Sequence, residues 1–284
     1  MTGSPTTSVQ DARAALAERL RNLRLDAGIT GKELAAACGW SMAKSSRIAA
    51  GRTNPSDDDI RAWCRACGAE GQIADLIAAR RQADAMYVEW KRLQRTGMRH
   101  LQEASRPLYE RTRVFRVYAS HVIPGYLQTP GYATALMGTI AEFRGTPDDV
   151  SDAVDARMRR TQAVLHGNHR FATLIEEKVL HHRVGDPEVM AGQLGHLLAS
   201  MALPSMSLGV IPSTVDREHV MWPVEQFTAF DTTRVHVELL AAKVTVTAPS
   251  ELELYHRAFA RLKTLAVHGA EARALIVKAI DAQT

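Results

Sequence analysis

Lys44 and Arg47 stand three residues apart, with Ala43 beside them, in a stretch from about Ser41 to Ala49 that reads as one short helix. At that spacing two cations share a helical face and can reach base edges or phosphates in a major groove. Thr30, Lys32 and Arg52 flank the stretch and are candidates for gripping phosphate; Met42 falls on the same helix and Ser41 at its cap. Farther along, Glu177 and His181 are four apart, the spacing of a general acid/base pair on a helical turn. Trp222-Pro223 followed by Glu225 offers a rigid aromatic and a carboxylate able to line a ligand pocket. An ordinary surface turn and a packed loop are the plainer readings of these last two sets.

Other chemistry finds little support. Cys64-x-x-Cys67 is half of a zinc site, with no second pair and no histidine following at ligand spacing, so it reads as two small apolar residues and no metal is expected. Gly125 and Gly131 are too far apart for a phosphate-binding loop. No G-x-S-x-G, Ser/Lys dyad or metal-ligand cluster occurs, so neither a catalytic set nor a cofactor is expected. Three cysteines without framework spacing point to a reducing compartment. The opening MTGSPTTSVQ has no basic or apolar region, and no run of about 18 apolar residues occurs, which predicts a cytoplasmic protein without a membrane partner.

The elements that must position Lys44 and Arg47 are legible. Ala12 to Asp26 places Ala15, Leu16, Leu20 and Leu23 along one side at helical spacing. Ala27-Gly28 ends that helix, and Thr30 with Glu33 forms a capping-box signature for a second one, on which Leu34 and Ala35 face inward. Ala35, Gly39 and Ile48 then supply a small residue where two helices cross, a turn residue tolerant of positive φ, and an apolar anchor for the third helix. Gly51 to Ser56 is a turn cluster leading to a helix at about Asp57–Cys67, and a fifth helix runs from about Gln72 into the 80s. This is a helix-turn-helix bundle over residues 1–80.

The stretch TGKELAAACGWSMAKSSRI resembles the xenobiotic-response-element (XRE) class of helix-turn-helix regulators. DIRAWCRACGAE, YVEWKRLQRTGMRHLQE, VIPGYLQT, MALPSMSLGVIP, MWPVE and TVTAPSELELY are similar to a group of actinobacterial, WhiJ-like regulators that join this domain to one C-terminal domain of uncharacterised function. The resemblance implies a DNA-binding protein, often accompanied by a small acidic partner, some members being antitoxin-like. Against that pattern, Ser45 stands where a buried valine is usual, Ala49 where an acid is common and Met42 where a polar residue is expected.

With 284 residues, two domains are expected. Residues 1–80 carry 11 Lys/Arg against 9 Asp/Glu, residues 81–120 carry 9 against 4, and residues 121–284 carry 15 against 18. The basic surplus thus sits toward the N-terminus, as a nucleic-acid-binding end would place it. From about Met86 to Arg111 the chain reads as one or two basic helices, with Trp90, Leu93, Met98 and Leu101 on an apolar side and Lys91, Arg92, Arg95 and Arg99 outside, a connector over residues 81–112. Residues 113–284 read as an α+β domain. Strands are expected at Val114–Tyr118, Arg170–Ile175, Ser207–Ile211, Gln226–Phe230, Arg234–Leu240 and Lys243–Thr247, the last two forming a hairpin. Helices are expected at Pro130–Phe143, Asp148–Leu165, Pro187–Met201, Ser250–Val267 and Ala270–Ala282, in no repeating βαβ order.

The reading that unites these features is a dimeric regulator of double-stranded DNA whose occupancy is set by a partner protein or small-molecule effector on the C-terminal domain. The alternative is a regulator-derived protein whose C-terminal domain binds or transforms a small molecule, with the helix-turn-helix kept as scaffold.

Overall fold

The computed structural model describes residues 5–89, 97–165, 167–247 and 249–283. The chain divides into two units, Met1–Val88 and Glu89–Thr284. In the first, α1 (Pro5–Asp26) buries Leu16, Ala17, Leu20 and Leu23, while Ala15, expected on the same side, is exposed. The stripe is set by the leucines at i, i+4 and i+7, and Ala15 lies off it. α2 (Gly31–Ala37), α3 (Met42–Ala49) and α4 (Asp57–Ala66) each start on a side-chain cap. Gly39 makes the turn between α2 and α3 with φ +67°, a conformation that costs L residues roughly 1–2 kcal/mol. A 3-10 turn at Glu70–Gln72 leads into α5 (Ile73–Met86). Leu20, Leu34, Ile48, Ile60, Trp63 and Leu76 fill the core, and the Trp63 indole N–H donates to the Leu20 carbonyl at 2.8 Å, tying α4 to α1.

The helix expected from Met86 onward is interrupted: Tyr87–Glu89 is extended. Trp90, Lys91, Arg92, Leu93 and Arg95 lie outside the described residues. Gly97, at φ +94°, starts α6 (Met98–Arg111), where Met98 is buried and Arg99 is exposed and ion-paired with Glu103 and Asp152. Asp149 caps this helix from a distant part of the sequence, accepting from the Met98 and Arg99 amides at 2.9 and 2.8 Å.

The second unit is built on a mixed sheet. Its strands are β1 (Val114–Ala119), β2 (Arg170–Glu176), β3 (Met206–Ile211), β4 (Phe227–Phe230), β5 (Arg234–Glu238), β6 (Ala242–Val246) and β7 (Val267–His268). They lie in the order β6-β5-β4-β1-β2-β3-β7. β1, β2 and β3 run parallel and the remaining pairings are antiparallel. Parallel neighbours need long crossovers: α7 (Pro130–Arg144) and α8 (Val150–Leu165) join β1 to β2, and α9 (Glu177–His181) and α10 (Pro187–Ser200) join β2 to β3. Two consecutive helical crossovers between parallel strands are thus present where no βαβ order was expected, within a sheet whose other half is antiparallel. The expected hairpin forms from β5 and β6, with Val235 opposite Val246 and Val237 opposite Val244. β7, only two residues long, begins at Val267, the last residue expected in the helix from Ser250. α11 (Pro249–Thr264) and α12 (Gly269–Asp281) close the chain. Phe115 of β1 stacks on its register partner Phe171 of β2 at 4.8 Å between ring centroids, in the middle of the core.

A Cβ on Gly97 would come within 2.3 Å of the Asp149 carboxylate that caps α6, in addition to the strain of positive φ. Gly97→Ala should therefore lower stability by roughly 2 kcal/mol or more. Gly138→Ala, in the interior of α7 with open space around it, should raise stability by about 0.5–1 kcal/mol. Urea denaturation followed by circular dichroism measures both.

Candidate functional site

Side-chain caps fix the first helices of the N-terminal unit, and the same bonds decide which polar groups remain free. The Thr30 hydroxyl accepts from the Glu33 amide at 3.2 Å, and Glu33 accepts in return from the Thr30 amide and hydroxyl at 2.7 and 2.8 Å. The Thr30 backbone and hydroxyl bonds hold the Glu33 carboxyl below its ordinary range. A carboxylate thus occupies the α2 N-terminus, and the groups of Thr30 that could reach a phosphate are committed to it. Lys32 and Arg52 are exposed.

Ser41 caps α3 by accepting from the Lys44 amide at 3.3 Å. Ser45 and Ile48 are buried, and Lys44 and Ala49 are half-buried. Met42, Ala43, Ser46 and Arg47 remain as an exposed stripe at i, i+1, i+4 and i+5. Lys44 and Arg47, expected to share a face, are parted. The Lys44 ammonium lies 2.6 Å from Asp59 and 4.5 Å from the centre of the Trp40 ring, while Arg47 points to solvent. Asp59 has two tasks, since it also accepts from the Ser56 amide at 3.0 Å in the cap of α4. Burial pushes its carboxyl up, but bonds from Lys44 and Ser56 outweigh this and hold it below the ordinary value.

The three cysteines are free thiols. Burial raises all of them, Cys67 to about 11 with help from Cys64 and Cys38, so they stay protonated at neutral pH. Among the described residues no group of three His, Cys, Asp or Glu side chains could hold a metal ion.

In the second unit the four residues singled out for a pocket occupy different settings. Glu177 and His181 do share α9; Glu177 accepts from the Ser213 amide at 2.6 Å and His181 is exposed. Trp222 is 53% exposed, and Glu225 accepts from the Tyr255 hydroxyl at 2.7 Å. Nearby, the buried Glu176 accepts from Tyr118 and Arg217, each at 2.6 Å, which together with Glu177 pins the segment from 212 to 226 to the end of β2.

The cavity lies elsewhere. About 220 Å³ in volume and open to solvent on one side, it is lined by α6, α7, α8, the 122–128 segment and the β4–β6 strands, with Leu108, Tyr109, Leu136, Ile140 and Phe230 among its apolar walls. None of Glu177, His181, Trp222 and Glu225 lines it. Arg157 and Arg160, three apart on α8, enter from one side and His236, Glu238 and Lys243 from the hairpin. Arg157 donates to the side-chain oxygens of Gln128 and, at 3.3 Å, Gln102. Arg160 donates to the Gln102 carbonyl at 3.2 Å and lies 4.4 Å from the centre of the Tyr109 ring. Burial, then Arg160, push the Arg157 guanidinium down to about 10, so it is charged at neutral pH. Burial, then Lys243 and Arg234, push His236 down to about 2, so it is neutral there.

Two family models match the sequence. One, described as a helix-turn-helix domain, covers residues 15–76. The other, described as a domain of unknown function, DUF5753, covers residues 108–278, more than half of the chain. The chain belongs to the DUF5753 family. No curated protein and no solved structure matches it. The helix-turn-helix match takes in α2, Gly39 and α3 and marks the first unit of this DUF5753 protein as a DNA-binding fold. The DUF5753 match takes in Arg157, Arg160, His236 and Lys243. Among the described residues no helix is long and apolar enough to cross a membrane.

A signal for the cavity was present in the sequence of the DUF5753 domain. On α8, Ala153, Ala156, Arg160 and Val164 repeat at helical spacing along the buried side, which places Arg160 among apolar residues. Partners drawn from four separate elements carried no such signal.

A histidine held neutral by burial adds stability that is fully present above its unfolded value, near 6.5, and is lost as the pH falls below it, because only the unfolded chain takes up the proton. His236→Phe is expected to flatten the acid-side decline of unfolding free energy between pH 6.5 and 4 by at most about 1.4 kcal/mol per pH unit. Urea titrations at several pH values, read by circular dichroism, test this; an unchanged slope would mean that His236 titrates as if in water.

Proposed function

We propose that this chain is a sequence-specific regulator that reads double-stranded DNA with the exposed stripe of α3, its occupancy set by an effector or partner bound to the DUF5753 domain. The observation that carries the reading is the stripe itself. A capped helix after a positive-φ glycine turn presents Met42, Ala43, Ser46 and Arg47 outward, and Arg47 is the long cation among them. Such a helix enters the major groove with its outward residues on base edges. Lys32 and Arg52, exposed on either side, supply phosphate contacts. Thr30 serves α2 as its cap, and Lys44 braces α3 against α4 and adds positive charge behind the reading face.

One such helix spans only a few base pairs, so two copies on half-sites a helical turn apart are needed for useful specificity, and we assign a homodimer. The resemblance to XRE-class, WhiJ-like actinobacterial regulators supports this reading and adds a small acidic, antitoxin-type partner to it; the sparse cysteines and the lack of a long apolar run fit a cytoplasmic setting. The cavity among Arg157, Arg160 and Lys243 favours a second element of the reading, a small-molecule effector.

Gel shifts against the protein's own promoter at two salt concentrations test the proposal. Arg47→Ala should cost about 1–3 kcal/mol of discrimination between operator and scrambled DNA. Arg52→Ala should weaken both alike and lower the salt slope by about one. Lys44→Met should act mainly on thermal stability. Parent-like binding by both arginine variants sinks the regulator reading, and loss of discrimination in a fully folded Lys44→Met protein returns the reader's role to Lys44.

A further inference from the structure

Arg157 and Arg160 carry guanidinium groups, yet among the described residues neither has a carboxylate within ion-pair distance. Their acceptors are neutral: the amide oxygens of Gln102 and Gln128 and the Gln102 carbonyl. Arg160 is 6% exposed, and its Nε is buried with no hydrogen-bond partner among the described residues. Gln128 is itself held, its amide nitrogen donating to the Ile123 carbonyl at 2.7 Å, so it presents its oxygen to Arg157. Lys243 adds a third cation to the cavity; among the described residues the acid on its wall is Glu238, which is exposed and stands opposite Lys243 in the hairpin. A guanidinium fork has five N–H donors and matches a carboxylate in shape. An unpaired buried charge is costly, and a bound anion removes that cost. Away from the arginines Leu136, Met137, Ile140, Val122 and Phe230 form an apolar flank, with Ser105, Gln226 and Thr228 elsewhere on the wall. An apolar cavity of about 150 Å³ holds a benzene ring, so one of about 220 Å³ has room for a ring or short chain bearing a small headgroup.

We propose that the cavity binds a small organic monoanion, an apolar ring or chain carrying one carboxylate, with Arg157 and Arg160 taking the carboxylate and the α7 side holding the apolar body. This deepens the effector reading given above and rests on it only for the consequence of binding, not for binding itself.

The test uses the full chain without DNA, and the probes are 3-phenylpropionate, its uncharged amide and inorganic phosphate. Thermal unfolding and titration calorimetry should show saturable binding of the acid, with the amide about ten- to a hundredfold weaker, the worth of a charge-assisted hydrogen bond. Arg157→Met removes a half-buried charge that no carboxylate pairs, so the free protein should stay folded while the response to the acid disappears. If the Met variant does not fold, Arg157→Lys keeps the charge but loses the fork and should bind the acid about tenfold more weakly. No response to the acid, an equal response to the amide, an undiminished response in the arginine variants, or a response to phosphate alone each overturns the proposal. Operator binding is measured separately by gel shift, so failure of the DNA reading leaves this result standing, and failure here leaves the DNA reading standing.

Discussion

A cation withdrawn from water must be given acceptors, and in this chain the kind of acceptor each one receives determines what it can offer to another molecule. Lys44 receives Asp59, a carboxylate already fixed by the cap of α4, and is thereby spent on joining two helices. Arg217 receives Glu176, whose other oxygen takes the Tyr118 hydroxyl, and holds a surface segment against the sheet. Arg99 and Arg106 pair with acids one helical turn along α6. Arg157 and Arg160 receive only neutral oxygens. Arg47 receives none of these contacts and faces solvent. Of the cations compared, those left with something to give are found on the α3 stripe and in the cavity.

What could be read from the sequence follows the range of the interactions involved. Caps act over three residues and helical stripes over seven, so Thr30 with Glu33, Ser41, Ser56 and the leucines of α1 could all be placed from local pattern. The strand runs of the second unit were equally legible, because the inner strands are nearly continuous in apolar residues. Lys44 shows where local reading stops. Its spacing from Arg47 allows a shared face, but Asp59, fifteen residues on, draws it away. Ala15 shows the complementary limit, since alanine fits either side of a helix and carries no vote of its own.

The candidate ligand site was harder to see for the same reason. Glu177 with His181, and Trp222 with Glu225, attract notice because they are close in sequence, and two of the four turn out to serve as acceptors for a backbone amide and a tyrosine hydroxyl. The cavity is assembled from residues between 101 and 243, whose approach depends on two helical crossovers and on antiparallel strands added beside β1. Only the arginine lying in the buried stripe of α8 betrayed it. A charged residue at a position that the pattern assigns to the core is a stronger pointer than a suggestive pair on a loop, because burying it demands an explanation.

The coupling proposed between such a cavity and the α3 stripe has a physical requirement. A ligand moves an equilibrium only by the difference in its affinity for the two states, so its contacts must differ between them. Of the cavity walls, α6 is the one on which the proposed coupling would act. It contributes Gln102, which bonds both arginines, and it is the first helix of the second unit to follow the α5 end of the first in sequence. Its N-terminus is held, among the described residues, by the Asp149 carboxylate, at a glycine where a side chain would meet that carboxylate. A carboxylate ligand would compete with Gln102 for the guanidinium donors and so bear on the same helix from the other side. The neutral acceptors that leave Arg157 and Arg160 undersupplied are thus also the groups a bound carboxylate would displace, and the coupling proposed above would begin with them.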